Sequence, residues 1–364
     1  MKYYIIAGEA SGDLHGSNLV KHLSLLDEKA VFKGVGGDKL RNANVDILFG
    51  LERLAFMGFY EVLKNLRTIR RNFKEVQHTI LQFQPDIVIL IDYPGFNLRM
   101  AKWCKQNGFK VAYYISPKIW AWNVRRVEII KMNVDLVLCI LPFEESFYHK
   151  HNYNKAFYVG NPLLDVIHSH SELVEESVQK NTKDIIALLP GSRKQELKTL
   201  LPFMLETVNK FPNENFIITG ISRLAELYPV IYPQNVSIVF DKTYEVLGKA
   251  KAAVVCSGTA TLETAILNVP QVVIYKTSWL NYQIGKRLAK VNFISLPNLI
   301  ANKKNVEELI QQDCNAEKIS AELNKLLSTS AEKFYDSLVE KIGEKGASER
   351  AAKLIIQTLS SKEY

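Results

Sequence analysis

The chain of 364 residues holds only 4 cysteines, and Cys104, Cys139, Cys256 and Cys314 stand far apart with no C-x-x-C pair. That spacing speaks against a zinc ribbon or a disulfide framework, and no H-E-x-x-H or carboxylate cluster suggests a metal. Cys139 and Cys256 fall inside apolar runs, so they read as buried packing in a reducing compartment, with no local mark of a catalytic thiol. Long hydrophobic runs are missing as well. The longest, residues 136–143 (LVLCILPF), is broken by Pro142, whereas a bilayer span needs about 18 to 20 apolar residues. The start, MKYYIIAGEASGD, meets Glu9 and Asp13 too early for a secretory h-region, so a soluble, cytoplasmic chain is expected. Acid is locally scarce: residues 264–306 contain no Asp or Glu, and residues 99–131 contain Glu128 alone among many cations.

What is present is globular. Hydrophobic residues make up 47% and charged residues 23%, which excludes bulk disorder, and the formal charge is +8. Short apolar runs recur with amphipathic stretches between them. They are Tyr3–Ala7, Val31–Val35, Ile87–Ile91, Val111–Ile115, Leu136–Ile140 and Ala156–Val159, then Ile185–Leu189, Phe216–Thr219, Val236–Phe240, Ala252–Cys256 and Val272–Tyr275. This pattern predicts an α/β chain of two doubly wound, Rossmann-like domains, each a parallel sheet covered by helices, with a cleft between them. Gly160-Asn161-Pro162 marks a turn, Ser169–Lys183 a polar surface helix and linker, and only helix is expected beyond Asn305. The expected domains are residues 1–165 and 166–335, followed by a helical segment over 336–364.

In such sheets ligands bind beyond the carboxyl ends of the strands. The first run leads into Gly8-Glu9-Ala10-Ser11-Gly12-Asp13-Leu14-His15-Gly16. Small residues there allow close backbone approach, and the following helix start offers N–H groups to an anion. The pattern is not G-x-G-x-x-G, so a dehydrogenase reading is poor; a plain turn with Asp13 as N-cap is the alternative. The run ending at Ile91 leads into Asp92-Tyr93-Pro94-Gly95-Phe96-Asn97. A partly desolvated carboxylate at Asp92 can act as general base, or it can cap the next helix or pair with a cation. Ser116 to Trp122 sets two tryptophans beside a Ser-Pro turn, where they must pack or stack.

The second half is more specific. Leu188 to Arg193 closes a strand with Pro190-Gly191-Ser192-Arg193, in which Ser192 can cap and Arg193 is placed for a phosphate oxygen. Cys256-Ser257-Gly258-Thr259-Ala260-Thr261-Leu262-Glu263 repeats that logic one strand end later. A carboxylate at Glu263 suits ribose hydroxyls, unless it is a capping-box partner or a solvated helix residue. Phosphate donors plus a sugar-reading carboxylate describe a nucleotide diphosphate site. The acid-free stretch carrying Lys276, Lys286, Arg287, Lys290, Lys303 and Lys304 favours an anionic ligand.

Phe56, Met57, Phe59 and Tyr60 precede Lys64, Arg67, Arg71 and Lys74, whose spacing of 3, 4 and 3 lays them on one helix face. Leu63, Leu66, Ile69, Phe73 and Val76 fall largely on the other face, whose apolar stripe is expected to pack on a sheet. The basic stripe suits an anionic membrane surface or nucleic-acid phosphates. No helix-turn-helix, zinc or RNA-binding pattern accompanies it, so peripheral membrane contact is preferred over nucleic acid.

Taken in order, Ala7 to Asp13, Ile91 to Asn97, Ser116 to Trp122, Leu189 to Arg193, Ser257 to Glu263 and Ser295-Leu296-Pro297-Asn298-Leu299 resemble the lipid-A-disaccharide synthases. The resemblance runs from the first strand to about Gln312. It implies a GT-B fold and an inverting glycosyltransferase that needs no metal or cofactor. The implied reaction joins UDP-2,3-diacylglucosamine to 2,3-diacylglucosamine 1-phosphate, giving a β-1,6 disaccharide 1-phosphate and UDP at the cytoplasmic face of the inner membrane. It implies Asp92 as base, with His15 as rival. Gly191, Ser192, Arg193, Ser257, Gly258, Thr259, Ala260, Glu263, Asn298 and Gln311 would hold the donor. Gly8, Glu9, Ser11, Gly12, Asp13, His15, Asn97 and Ser116 would face the reacting sugars. An intertwined C-terminal segment in the family makes a homodimer an expectation. The sequence departs from the family pattern at Asn161, where His is common, and at Lys118, where a small residue is frequent. Alternative readings are another GT-B enzyme, either a lipid-linked peptidoglycan glycosyltransferase or a UDP-sugar epimerase, and a nucleotide- or nucleic-acid-binding protein.

Overall fold

The computed structural model describes residues 1–54, 65–167, 183–288, 291–328 and 335–360. The chain divides into two compact units, Met1–Asp165 with Glu344–Tyr364, and Val166–Gly343.

The first unit is a parallel sheet of β1 (Lys2–Ala7), β2 (Val31–Val35), β3 (Asp46–Ile47), β4 (Ile87–Ile91), β5 (Val111–Tyr114), β6 (Leu136–Cys139) and β7 (Ala156–Tyr158). Their order is β3-β2-β1-β4-β5-β6-β7. Successive side chains alternate between faces, and here both faces are covered, which is why these strands read as unbroken apolar runs. Tyr4, Ile6, Val88, Leu90 and Tyr113 pack on one side. Tyr3, Ile5, Ile89, Ile91 and Tyr114 pack on the other, against Leu19, Val20 and Leu23 of the helix Ala10–Leu26 and Ala351, Ala352 and Ile355 of the helix Ala347–Ser360.

The second unit repeats the winding with β8 (Ile185–Leu189), β9 (Asn215–Gly220), β10 (Val236–Phe240), β11 (Ala250–Cys256), β12 (Gln271–Tyr275) and β13 (Glu307–Ile310). The order is β10-β9-β8-β11-β12-β13, all parallel. β13 corrects the expectation of helix alone beyond Asn305. It is an edge strand whose Glu307 and Glu308 hide the apolar signal, and charged residues are a common way to protect a sheet edge. β3, two residues long, was likewise absent from the sequence pattern. Residues 336–364 are divided: the helix Asp336–Ile342 belongs to the second unit and the helix Ala347–Ser360 to the first. The expected linker at 169–183 lies almost wholly outside the described residues.

All four cysteines are free and buried. Burial pushes the Cys104 thiol up to about 12 and that of Cys314 up to about 11, so these groups pack rather than react.

Candidate active site

In a doubly wound sheet, ligands gather where neighbouring strands send their connections to opposite sides. In the first unit that point lies between β1 and β4, which are direct neighbours. Asp92 follows β4 half-buried, with φ 44°, and Tyr93 follows with φ 48°. On the adjacent strand end Ile115 has φ 62°. A left-handed backbone costs about 1–2 kcal/mol for residues with a Cβ, and more crowding for a β-branched one, so three together require fixing contacts. They are present. The Asp92 N–H donates to the Tyr114 carbonyl at 3.1 Å. The Asp92 carbonyl accepts from the Tyr113 hydroxyl at 2.6 Å and from Asn97 Nδ2 at 2.8 Å, and Asn97 Nδ2 also reaches the Ile91 carbonyl at 3.1 Å. The Tyr93 hydroxyl donates to the Leu54 carbonyl at 2.7 Å. Its ring lies where a Cβ on Gly8 would come within 2.3 Å, so the loops after β1 and β4 touch and only glycine fits at position 8. Tyr93, and not Asp92, is the N-cap residue of the helix Pro94–Gln106.

The helix after β1 starts earlier than its sequence suggests. Glu9 is its N-cap residue, so Asp13 lies a turn inside and does not cap it. From there the buried Asp13 carboxylate caps a different helix start, accepting from the N–H groups of Gly37 (2.7 Å), Lys39 (3.1 Å) and Leu40 (3.2 Å). Glu9 and Ser11 are half-buried and Gly12 is buried against Ile91 and Ala7. His15 is buried; desolvation lowers its pKa to about 4 against the opposing charge of Asp165. Its Nδ1 has no hydrogen-bond partner among the described residues.

Ser116 is buried, 2.7 Å from the Tyr148 hydroxyl. Trp120 meets Phe143 edge-on at 4.8 Å and donates its indole N–H to Glu144 at 3.0 Å. Glu144 also accepts from the N–H groups of Ile140 (3.1 Å) and Leu141 (3.0 Å), and burial pushes its carboxyl up to about 7. Sequence reasoning passed it over, although a glutamate just past an apolar strand was the available signal.

In the second unit the corresponding point lies between β8 and β11. Gly191 has φ 108°, and a Cβ there would sit 2.5 Å from Glu196 Oε2. Arg193, not Ser192, is the N-cap residue of the helix Lys194–Val208, a correction to the capping role expected of Ser192. The N–H groups are satisfied from inside the helix: Glu196 Oε2 accepts from Ser192 (3.0 Å) and Arg193 (3.2 Å), and Glu196 Oε1 from Arg193 Nη1 (2.9 Å).

Ser257 continues the ladder to Ile274 and donates its hydroxyl to the Ile294 carbonyl at 3.2 Å. Gly258 and Thr259 are exposed and Ala260 is half-buried at the start of the helix Thr259–Ile266. Glu263 is half-buried and lies past the first turn of that helix, so it is not a capping-box partner. Desolvation raises its pKa to about 7, and the Tyr244 hydroxyl hydrogen-bonds it.

Asn298 and Gln311 spend their carboxamides inside the unit. Asn298 Nδ2 donates to Val306 O (3.0 Å) and Glu308 (2.8 Å), while its Oδ1 accepts from Asn305 N (2.6 Å) and Val306 N (2.9 Å). Gln311 bonds both the N–H (2.7 Å) and the carbonyl (3.0 Å) of Thr277.

On the helix Leu66–Phe83, Arg67, Arg71 and Lys74 are exposed while Val76 is buried. Phe56, Met57, Phe59 and Lys64 lie outside the described residues, as does Lys290. Among the described residues no helix is long and apolar enough to cross a membrane, and no three His, Cys, Asp or Glu side chains could hold a metal ion.

The family model for lipid-A-disaccharide synthetase matches residues 3–357. The lipid-A-disaccharide synthase of Geobacter sulfurreducens is 38% identical over 374 residues, covering 98% of this chain and 97% of that protein. That of Syntrophus aciditrophicus is 40% identical, covering 99% and 98%. Among solved structures, a UDP-N-acetylglucosamine 2-epimerase from Rickettsia bellii superposes with TM-score 0.67 at 15% identity, covering 99% of this chain and 97% of that one. A UDP-GlcNAc 2-epimerase from Neisseria meningitidis bound to UDP-GlcNAc gives 0.65 at 13%, covering 99% of both. At such identities the epimerases share the GT-B-like fold alone. The sequence matches across both units carry the function: the chain belongs to the lipid-A-disaccharide synthase family, the glycosyltransferases of lipid A biosynthesis.

Proposed function

We propose that this chain transfers 2,3-diacylglucosamine from its UDP conjugate to the 6-hydroxyl of 2,3-diacylglucosamine 1-phosphate, with inversion. The Asp92 carboxylate takes the hydroxyl proton as the oxygen attacks C1 of the donor sugar. The bond from C1 to the diphosphate breaks, and its electron pair leaves on UDP. Inversion requires base and leaving group on opposite faces of the sugar.

The observation that carries the reading is the turn after β4, where a half-buried carboxylate follows a fully buried strand in a fixed left-handed backbone. His15 is the poorer base, being buried and held near 4. On the donor side, the exposed start of the helix Thr259–Ile266 suits phosphate, and Glu263 suits the ribose hydroxyls. Arg193 would exchange its contact with Glu196 for a bidentate grip on the diphosphate, supplying charge where it develops. Asn298 and Gln311 serve the donor through the loops they shape. Gly8, Glu9, Ser11 and Gly12 border the acceptor. Because both substrates are lipids, Arg67, Arg71 and Lys74 meet the anionic face of the inner membrane, each cation contributing about 1 kcal/mol.

The test is incubation with the two diacylated sugars and mass analysis of the product, which should be the tetraacyl disaccharide 1-phosphate. Asp92→Asn should lower turnover by roughly a thousandfold while UDP affinity stays unchanged. Retained turnover would end the role of Asp92.

A further inference from the structure

We infer that Tyr113, with Asn97, is a positioning residue for the transfer, acting through Asp92 by gripping its main-chain carbonyl. The inference rests on the reading of Asp92 as base. Beyond Ile91 the sheet ladder ends: the Asp92 N–H is still held by the Tyr114 carbonyl, but the Asp92 carbonyl has turned out of the ladder. It is taken up by two side chains, the Tyr113 hydroxyl at 2.6 Å and Asn97 Nδ2 at 2.8 Å.

The orientation of that carbonyl is the orientation of the peptide joining Asp92 to Tyr93. A flip of this one peptide changes ψ of Asp92 and φ of Tyr93 together, with little movement elsewhere. It would take Tyr93, whose φ is 48°, out of the left-handed region that its side chain disfavours, while φ of Asp92 stays as it is. Without a grip on the carbonyl, the peptide is no longer held in this orientation, and the turn that aims the carboxylate loosens with it. Tyr113 is fully buried on β5, in an apolar cluster where phenylalanine would fill the same volume. Its hydroxyl is the part that packing does not explain. Burial also holds the phenol well above its ordinary pKa, so it remains a donor across the working pH range.

The test compares Tyr113→Phe, Asn97→Ser, Asp92→Asn and Tyr113→Phe/Asp92→Asn in the full chain, with kcat and both KM values measured by varying each substrate while the other is saturating. Tyr113→Phe should lower kcat by roughly ten- to a hundredfold with KM within about twofold, since the loss is one of alignment. Asn97→Ser should lower kcat in the same sense, and it stands in if Tyr113→Phe does not fold. Added to Asp92→Asn, Tyr113→Phe should cost nothing further. Wild-type kcat in folded Tyr113→Phe, with Asp92→Asn inactive, overturns the positioning role alone. A further loss in the double variant also overturns it, because Tyr113 would then act independently of Asp92. An active Asp92→Asn overturns the reading of the base, and this inference with it.

Discussion

Glu144 and Glu263 are carboxyls whose acidity burial sets near neutrality, about 7 for each against an ordinary 4.5. Their consequence for stability has a definite sign. Between 4.5 and 7 the folded chain binds more protons at these groups than the unfolded chain does. Stability therefore falls as pH rises through that window and levels off above it. Each group costs up to roughly 3 kcal/mol above pH 7. Glu144→Gln and Glu263→Gln should each flatten part of the decline in urea midpoint between pH 5 and pH 8; slopes equal to the wild type's would refute the assignment. At Glu263 the same change removes an ionisable acceptor from the proposed ribose contact. UDP affinity, measured calorimetrically, should drop about tenfold and lose its rise between pH 6 and 8. Asp92, Arg193 and Glu263 stand out in the sequence as candidates because each follows the end of an apolar run by no more than about two helical turns. The partners of the carboxylates Asp13, Glu144 and Glu263 do not: Asp13 meets Gly37, Glu144 meets Trp120, and Glu263 meets Tyr244 across intervals of about twenty residues or more that only folding closes.

At the scale of elements, the interior strands were legible because both sheet faces are buried and the runs stayed apolar. β13 was not, because an edge strand keeps one side free and can carry charge. Glu308 on that strand has a second duty. It accepts from Ile294 N (3.0 Å), Ser295 N (3.0 Å), Ser295 Oγ (2.6 Å) and Asn298 Nδ2 (2.8 Å), capping the helix Leu296–Ala301. Glu308→Ala strands several partly buried donors and should destabilise the chain by roughly 3 kcal/mol, read as a lower urea midpoint. An unshifted midpoint would mean that water replaces the carboxylate. The basic face of the helix Leu66–Phe83 is tested separately. Reversing Arg67 and Arg71 to Glu should weaken binding to phosphatidylglycerol vesicles by at least about tenfold, leaving product formation with detergent-dispersed substrates intact. Unchanged vesicle binding would return this helix to a merely solvated face.

At the scale of the whole chain, the same winding is built twice, and each time the loops proposed to carry the chemistry follow the third and fourth strands of the sheet order, β1 and β4 or β8 and β11. Sequence pattern reached this because the strands and their turn residues are local signals. It could not reach the return of the last helix, which depends on contacts across the full length of the chain. Asp165 supplies the catch. Its carboxylate accepts from the N–H groups of Gly346 (2.6 Å), Ala347 (3.3 Å) and Ser348 (2.9 Å), where the helix Ala347–Ser360 begins. Arg350 adds a bond from Nε to the Val159 carbonyl at 2.7 Å and lies where a Cβ on Gly160 would be 2.4 Å from Nη2. A carboxylate at a helix N-terminus is worth about 1–2 kcal/mol, and docking of this helix covers the apolar face of Leu19, Val20 and Leu23. Asp165→Ala should therefore loosen the helix locally. Amide exchange over 347–360 should quicken about tenfold, while exchange in β8 to β12 stays at the wild-type rate. If residues 347–360 kept their protection in that variant, apolar packing alone would hold the C-terminal helix to the first unit, and Asp165 would be dispensable for it.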